Sequence, residues 1–307
     1  MFKKCIVFTI FITSPLLICQ SSGLKKAEKE CNSVVKQVDH IMLAPDNPQE
    51  LFEFLTQELK LPIAWPYRKY ESFASGGIFA GNVNLEPVFF QQKHESLKTP
   101  TKIIGMAFEP SAPTEKILQE LDLRKIPYMK PEIMALGPEG SKMKIATNTI
   151  LKDMLPGSYI FICEHHIYKL FNTDLPTMRK KWQNDLMKVN GGPLGIEYVC
   201  EIKIKIKNKA EAFKKWKNLL KPCECIQDGC SKLGNGPSLI FLDSEQECIY
   251  SLKIKVRSLE KACNYLSSKG LILAKNKHTV TANPEKTFGI LFEFTEIDDN
   301  TGALKTR

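Results

Sequence analysis

Val38-Asp-His-Ile-Met-Leu-Ala44, followed by Asp46-Asn-Pro-Gln-Glu50 and then by Leu51, Phe52, Leu55 and Leu59, is the stretch on which the fold turns. Its first seven residues read as a short apolar strand carrying a single histidine. Asp46 or Asn47 caps the helix that follows, and Pro48 fits the first turn, where a missing N–H leaves no bond unmade. The apolar residues then recur at helical spacing, giving that helix one apolar face. A strand running at once into an amphipathic helix opens a repeating unit. Further on, Ser75-Gly-Gly77 breaks the chain. Ile78-Phe79-Ala80 and Val83 to Phe90 read as two strands joined near Gly81–Asn82, a hairpin-type turn.

The unit recurs three more times. Lys102 to Phe108 is a strand, followed by a proline-opened helix from Pro113 to about Arg124, with Lys144 to Lys152 and Tyr159 to Cys163 closing the second unit. Ile196 to Ile206 and Lys209 to Leu220 open the third; Ile249 to Val256 and Leu259 to Lys269 open the fourth, which ends on Phe288 to Phe294. Ile202, Ile204 and Ile206 alternate with Lys203, Lys205 and Lys207, the period of a sheet with one wet face. Ala210, Phe213 and Trp216 match Leu259, Ala262 and Tyr265 at a constant offset of 49 residues. Four such units, paired two and two, predict an α+β protein with curved sheets and helices outside. The polar stretch 168–192, ending in Gly191–Gly192–Pro193, predicts a linker between a domain at 37–167 and a second at 193–298, with a lead-in at 24–36 and a tail at 299–307.

Of the 307 residues, 43% are apolar and 25% charged, as in an ordinary folded protein. The net charge of +9 is spread along the chain with no run of five like charges. Neither a basic face nor the interleaved aromatics of a nucleic-acid binder is visible, so no nucleic acid is expected as partner. Residues 1–23 have the three-part layout of a secretory signal peptide: Lys3 and Lys4, an apolar run from Cys5 to Cys19, and a small polar exit at Gln20 to Gly23. That run is short of the ~20 residues that span a bilayer. Export to a secreted or periplasmic location is therefore expected, with lipidation at Cys19 or an uncleaved N-terminal anchor as alternatives. Ten cysteines suit an oxidising compartment. Cys223-Glu-Cys225 with Cys230 reads as a disulfide-stapled loop or, less well, a metal cluster, since no histidine lies between His166 and His278.

Three stretches resemble the glyoxalase/bleomycin-resistance/dioxygenase (vicinal oxygen chelate, VOC) superfamily. They are Val38 to Ala44 with its helix, Ser75-Gly-Gly-Ile-Phe-Ala-Gly-Asn-Val-Asn-Leu-Glu86, and Phe288-Gly-Ile-Leu-Phe-Glu-Phe294. The resemblance implies tandem glyoxalase-like domains, four βαβββ-type modules paired into two cups. It implies a divalent metal (Zn, Ni, Mn or Fe) whose ligands come from the first and last strands of each module. Carried onto the first domain, these are His40, Glu86 and Glu164, with His165 or His166 as substitutes for Glu164. The fourth position falls at Gly105 or Met106, where no donor stands. The alternative for His40 is a buried histidine bonded to the backbone. Glu86 stands among apolar neighbours, where a charge is costly unless paired or liganded. Asn82 and Asn84 are candidate substrate contacts at the mouth, and Trp65, with Tyr67 and Tyr70, either lines the pocket or packs a loop. Glu293 is the one carboxylate in place in the second domain, which is expected to be degenerate. The implied function is a metal-dependent lyase, isomerase or dioxygenase acting on a small oxygenated molecule. The alternative is a metal-free protein of the same fold that binds and sequesters such a molecule, and a homodimer is compatible with either.

Overall fold

The computed structural model describes residues 33–91, 100–136, 142–222, 225–226, 229–230 and 233–296. The expected signal peptide, Cys19, Cys223 and the tail lie outside these residues, as does most of the lead-in. The first half contains β1 (Val35–Leu43), α1 (Pro48–Glu53), β2 (Ile63–Lys69), β3 (Phe73–Phe79), β4 (Asn84–Phe90), β5 (Ile103–Pro110), α2 (Thr114–Leu123), β6 (Glu132–Leu136), β7 (Met143–Ile150) and β8 (Tyr159–His165). Its sheet runs β2-β3-β4-β1-β5-β8-β7-β6. Helices α3 (Ile167–Leu170) and α4 (Leu175–Lys188) lead to the second half. There β9 (Ile196–Ile206), α5 (Lys209–Leu220), β10 (Cys225–Ile226), β11 (Gly229–Cys230), β12 (Ser238–Asp243), β13 (Cys248–Val256), α6 (Leu259–Ser268), β14 (Ile272–Lys275), β15 (Thr279–Ala282) and β16 (Phe292–Thr295) form the same order, β10-β11-β12-β9-β13-β16-β15-β14. Each sheet is mixed and curled, and the architecture is α+β with paired cups.

The local chemistry explains the elements. Asn47 caps α1 by accepting from the Glu50 N–H, with Pro48 at the helix start. The turn beyond α1, Phe54–Glu58, is π-helical. Strands β2, β6, β12, β14 and β15 go beyond the sequence expectation, and the last strand is shorter than expected. β2 covers Trp65 and Tyr67, which were expected either to line the pocket or to pack a loop. The last strand begins at Phe292 because Phe288 and Gly289 turn with positive φ. In β1, Val38, Ile41 and Leu43 enter the helix-side core, while His40 and Met42 face the concave side.

The two halves match register for register. Relative to β5, strand β1 carries one extra residue at Lys36 and another at Asp39, and β5 carries one at Ile104. The β9–β13 pair carries its extra residues at Glu197, Cys200 and Tyr250. These bulges align His40 with Glu201, Ala107 with Lys253, Glu86 with Ile240 and Phe161 with Glu293.

One apolar cluster spans both halves, from Leu51 and Leu55 through Leu194 and Ile196 to Ile254 and Phe292. Polar clasps close the seam. Arg124 donates to the carbonyls of Asn218 and Leu219, and Asn218 donates back to the Arg124 carbonyl. Gly81, at φ +93°, lies so close to the Glu197 carbonyl that a Cβ would sit 1.9 Å from its oxygen, so only glycine fits. Among the described residues no helix is long and apolar enough to cross a membrane.

Candidate functional site

The bulge at Asp39 turns its side chain into the group that organises the first cup. Asp39 is fully buried. Its Oδ2 meets His40 Nδ1 at 2.7 Å and His165 Nε2 at 2.8 Å, and its Oδ1 accepts from Arg179 Nη2 at 2.7 Å. Burial alone would protonate such a carboxyl. The charge and hydrogen bond of His165, then those of His40, outweigh it and hold Asp39 well below the usual carboxylate range. Burial likewise opposes charge on His165, but its neighbours Cys163 and Asp39 keep it protonated well above the usual histidine range. Arg179 comes from α4 and also bonds Glu109, which Lys36 and Gln37 reach at 3.0 and 3.1 Å. A cleft of about 240 Å³, lined by Glu109, Cys163, His165 and Tyr168 among others, opens beside this network.

With His40 Nδ1 donating to the Asp39 carboxylate, Nε2 is the ring nitrogen open to a further partner. Nε2 faces Glu86 Oε2 at 3.3 Å. Glu86 is itself fixed: its Oε1 accepts from Ser75 Oγ at 2.5 Å, and Ser75 Oγ accepts from Trp65 Nε1 at 3.3 Å. Trp65 lies flat on its register partner Gly77, where a Cβ would come within 2.3 Å of the indole. The Trp65 and Phe161 rings stand edge-on to His40 at 6.1 and 5.4 Å. Met42, Val88, Ile104 and Ala107 complete an apolar wall. Asn84 is the register partner of His40 on β4, is buried, and its Oδ1 has no hydrogen-bond partner among the described residues. An unmet buried acceptor costs about 1–3 kcal/mol.

Of the residues expected from sequence, His40, Glu86, Trp65 and Asn84 come together in this cup. Asn82 does not: its amide clasps Val199 and the Asn235 carbonyl across the seam. Glu164 points to the other face, where it accepts from the backbone N–H and hydroxyl of Thr114 at the start of α2. The alternation that sends Glu164 outward sends His165 inward, while His166 Nε2 meets Thr147 Oγ. Opposite His40 stands Ala107. Met106 is in the helix-side core, and Gly105 abuts the Tyr159 carbonyl. Asp39, Ser75 and Arg179 were not singled out in the sequence. Asp39 sat in the quoted motif, but strict alternation would put it on the opposite face from His40, and only the bulge brings both to one side.

Two donor arrangements surround His40. Asp39, His40 and His165 offer ligand atoms within 4.8 Å of one another. These atoms are already bonded to each other, and the Arg179 guanidinium adjoins them, so a cation there would meet both protons and positive charge. On the Nε2 side a ring nitrogen and a carboxylate oxygen face each other at 3.3 Å, a pair that a proton or a cation can bridge. Metal–ligand bonds of about 2.1 Å place neighbouring ligands roughly 3.0–3.4 Å apart, and 3.3 Å falls in that range. The His40–Glu86 pair fits a divalent cation.

The second cup is filled differently. Lys203 Nζ bonds Glu293 at 2.5 Å, Ser251 Oγ bonds the other Glu293 oxygen at 2.7 Å, and Lys253 lies 3.7 Å from Glu201. Glu201 occupies the register place of His40, one residue before Ile202, and Ile240 that of Glu86. Ammonium groups supply the positive charge inside this cup.

No protein-family model and no curated protein matches the chain. Solved structures do match. The 2,3-dioxygenase LapB from Pseudomonas sp. KL28 is 13% identical with a TM-score of 0.53, over 86% of this chain and 92% of that one. An extradiol ring-cleaving dioxygenase from B. fuscum is 11% identical with a TM-score of 0.56, over 91% and 76%. The Mn(II)-bound glyoxalase from Novosphingobium aromaticivorans is 11% identical with a TM-score of 0.52, over 86% and 83%. These are members of the vicinal oxygen chelate superfamily, and the chain has their fold.

Proposed function

We propose that the first cup holds one divalent metal ion between His40 and Glu86 and acts on a small oxygenated molecule, as a lyase, isomerase or dioxygenase. The observation that carries the reading is the pair of potential ligand atoms, His40 Nε2 and Glu86 Oε2, facing each other at 3.3 Å while Asp39 holds the far side of the imidazole. A bound ion with so few protein ligands would keep positions for two neighbouring substrate oxygens and polarise them. Asp39 fixes the tautomer and aim of His40, and Ser75 fixes Glu86. Trp65 and Phe161 wall the cup beside His40.

Metal analysis of protein purified without chelator tests the proposal. Stoichiometric transition metal in the wild type, lost in His40→Ala and in Glu86→Ala, is expected. No metal, with both variants folding normally, overturns it in favour of metal-free binding of a small molecule, a reading that Ala107 and Phe161 favour because neither is a donor. We also propose export, on the layout of residues 1–23. N-terminal sequencing of protein recovered outside the cytoplasm should begin beyond Gly23, and intact residues 1–23 there would refute cleavage. Export would permit a disulfide in the Cys223 to Cys230 segment, in which the backbone register sets Cys225 opposite Cys230; in this case mass spectrometry would find those thiols blocked to alkylation.

A further inference from the structure

We infer that Asn84 is a third protein donor to the cation in the first cup, through its side-chain oxygen. The inference rests on the metal reading of the His40–Glu86 pair. Its own support is separate. Asn84 and Glu86 are two residues apart on β4, with Leu85 between them in the helix-side core, so both face the concave side with His40. Asn84 is 2% exposed, and its Oδ1 meets no donor among the described residues. Its register partner on the other flank is Phe79, an apolar ring packed with Leu175 and Trp182. A buried amide oxygen with no donor, on the concave face shared with His40 and Glu86 and flanked in register by Phe79, is an acceptor without a proton to accept. A cation satisfies it together with His40 and Glu86. The donor set is then one imidazole, one carboxylate and one neutral amide oxygen, with a single negative charge, a mixed N,O set that suits a first-row divalent ion such as Mn²⁺, Zn²⁺ or Ni²⁺.

The test is isothermal titration of the full-length apo-protein with Mn²⁺ and with Zn²⁺, paired with thermal melting of the same samples before metal is added. Asn84→Leu, which keeps the size and removes the oxygen, should weaken binding at least tenfold while the metal-free protein melts at the same temperature or higher. Asn84→Asp, which adds an anionic donor in the same shape, should tighten binding at least tenfold. A merely structural amide would instead lower the melting temperature in both variants and weaken binding in step. Unchanged affinity in Asn84→Leu overturns the inference while leaving the His40–Glu86 site standing. Absence of binding in the wild type overturns both.

Discussion

Glu164 shows how much one residue's direction decides. Two hydrogen bonds from Thr114 at the α2 terminus offset the cost of burial, the largest single influence on this carboxyl, and hold it below the usual glutamate range. A carboxylate at a helix N-terminus is stabilised by the unpaired N–H groups there. Glu164→Gln should therefore cost about 1 kcal/mol in denaturant unfolding at neutral pH and leave the metal content unchanged. The folded-state pKa is depressed, so this contribution is present above the unfolded value near ~4.3 and is lost as pH falls through the folded value. The gap between wild type and variant should close in acid; a gap constant with pH would rule out the cap's charge as its cause. At this scale the resemblance pointed to His40 and Glu86, and the structure brings the two within 3.3 Å. It hid Asp39 and misdirected attention from His165 to Glu164, because facing depends on bulges and strand ends that residue types do not encode.

Among the elements, β3 is shaped by what it lacks. Gly77 leaves a bare backbone on which the Trp65 indole rests, and the indole N–H in turn steadies Ser75 and through it Glu86. In Gly77→Ala the new methyl group would overlap the ring and push it away. A loss of about 1–3 kcal/mol is expected, with a shift in tryptophan emission and weaker metal binding; an unchanged spectrum would mean that the ring does not lie there. Helices α1, α2, α5 and α6 and the central strands were legible from periodicity and, for α1, from the Asn47 cap, whereas α4 lies in the polar stretch that read as a linker. The edge strand β2 was not, since Ile63 to Lys69 mixes proline, aromatics and charge without alternation.

For the whole molecule, the two sheets have one topology and two interiors. Lys203 and Lys253 set ammonium groups against Glu293 and Glu201 in the second cup, so one metal ion per chain is expected rather than two. Glu293→Gln should leave that stoichiometry unchanged. Lys203→Met should cost about 2 kcal/mol by stranding a half-buried carboxylate, less than for a fully buried pair because water still reaches it. Adding Glu293→Leu should restore much of the loss, and no recovery would refute the pairing. The bulges at Lys36, Asp39 and Ile104 recur at Glu197, Cys200 and Tyr250 although the residues on them have diverged completely. The backbone thus repeats one socket with different wiring in each half. Giving the second half the donor set of the first would therefore be a matter of side chains at 200, 201, 238 and 240, the register places of Asp39, His40, Asn84 and Glu86, together with the ammonium groups at 203 and 253.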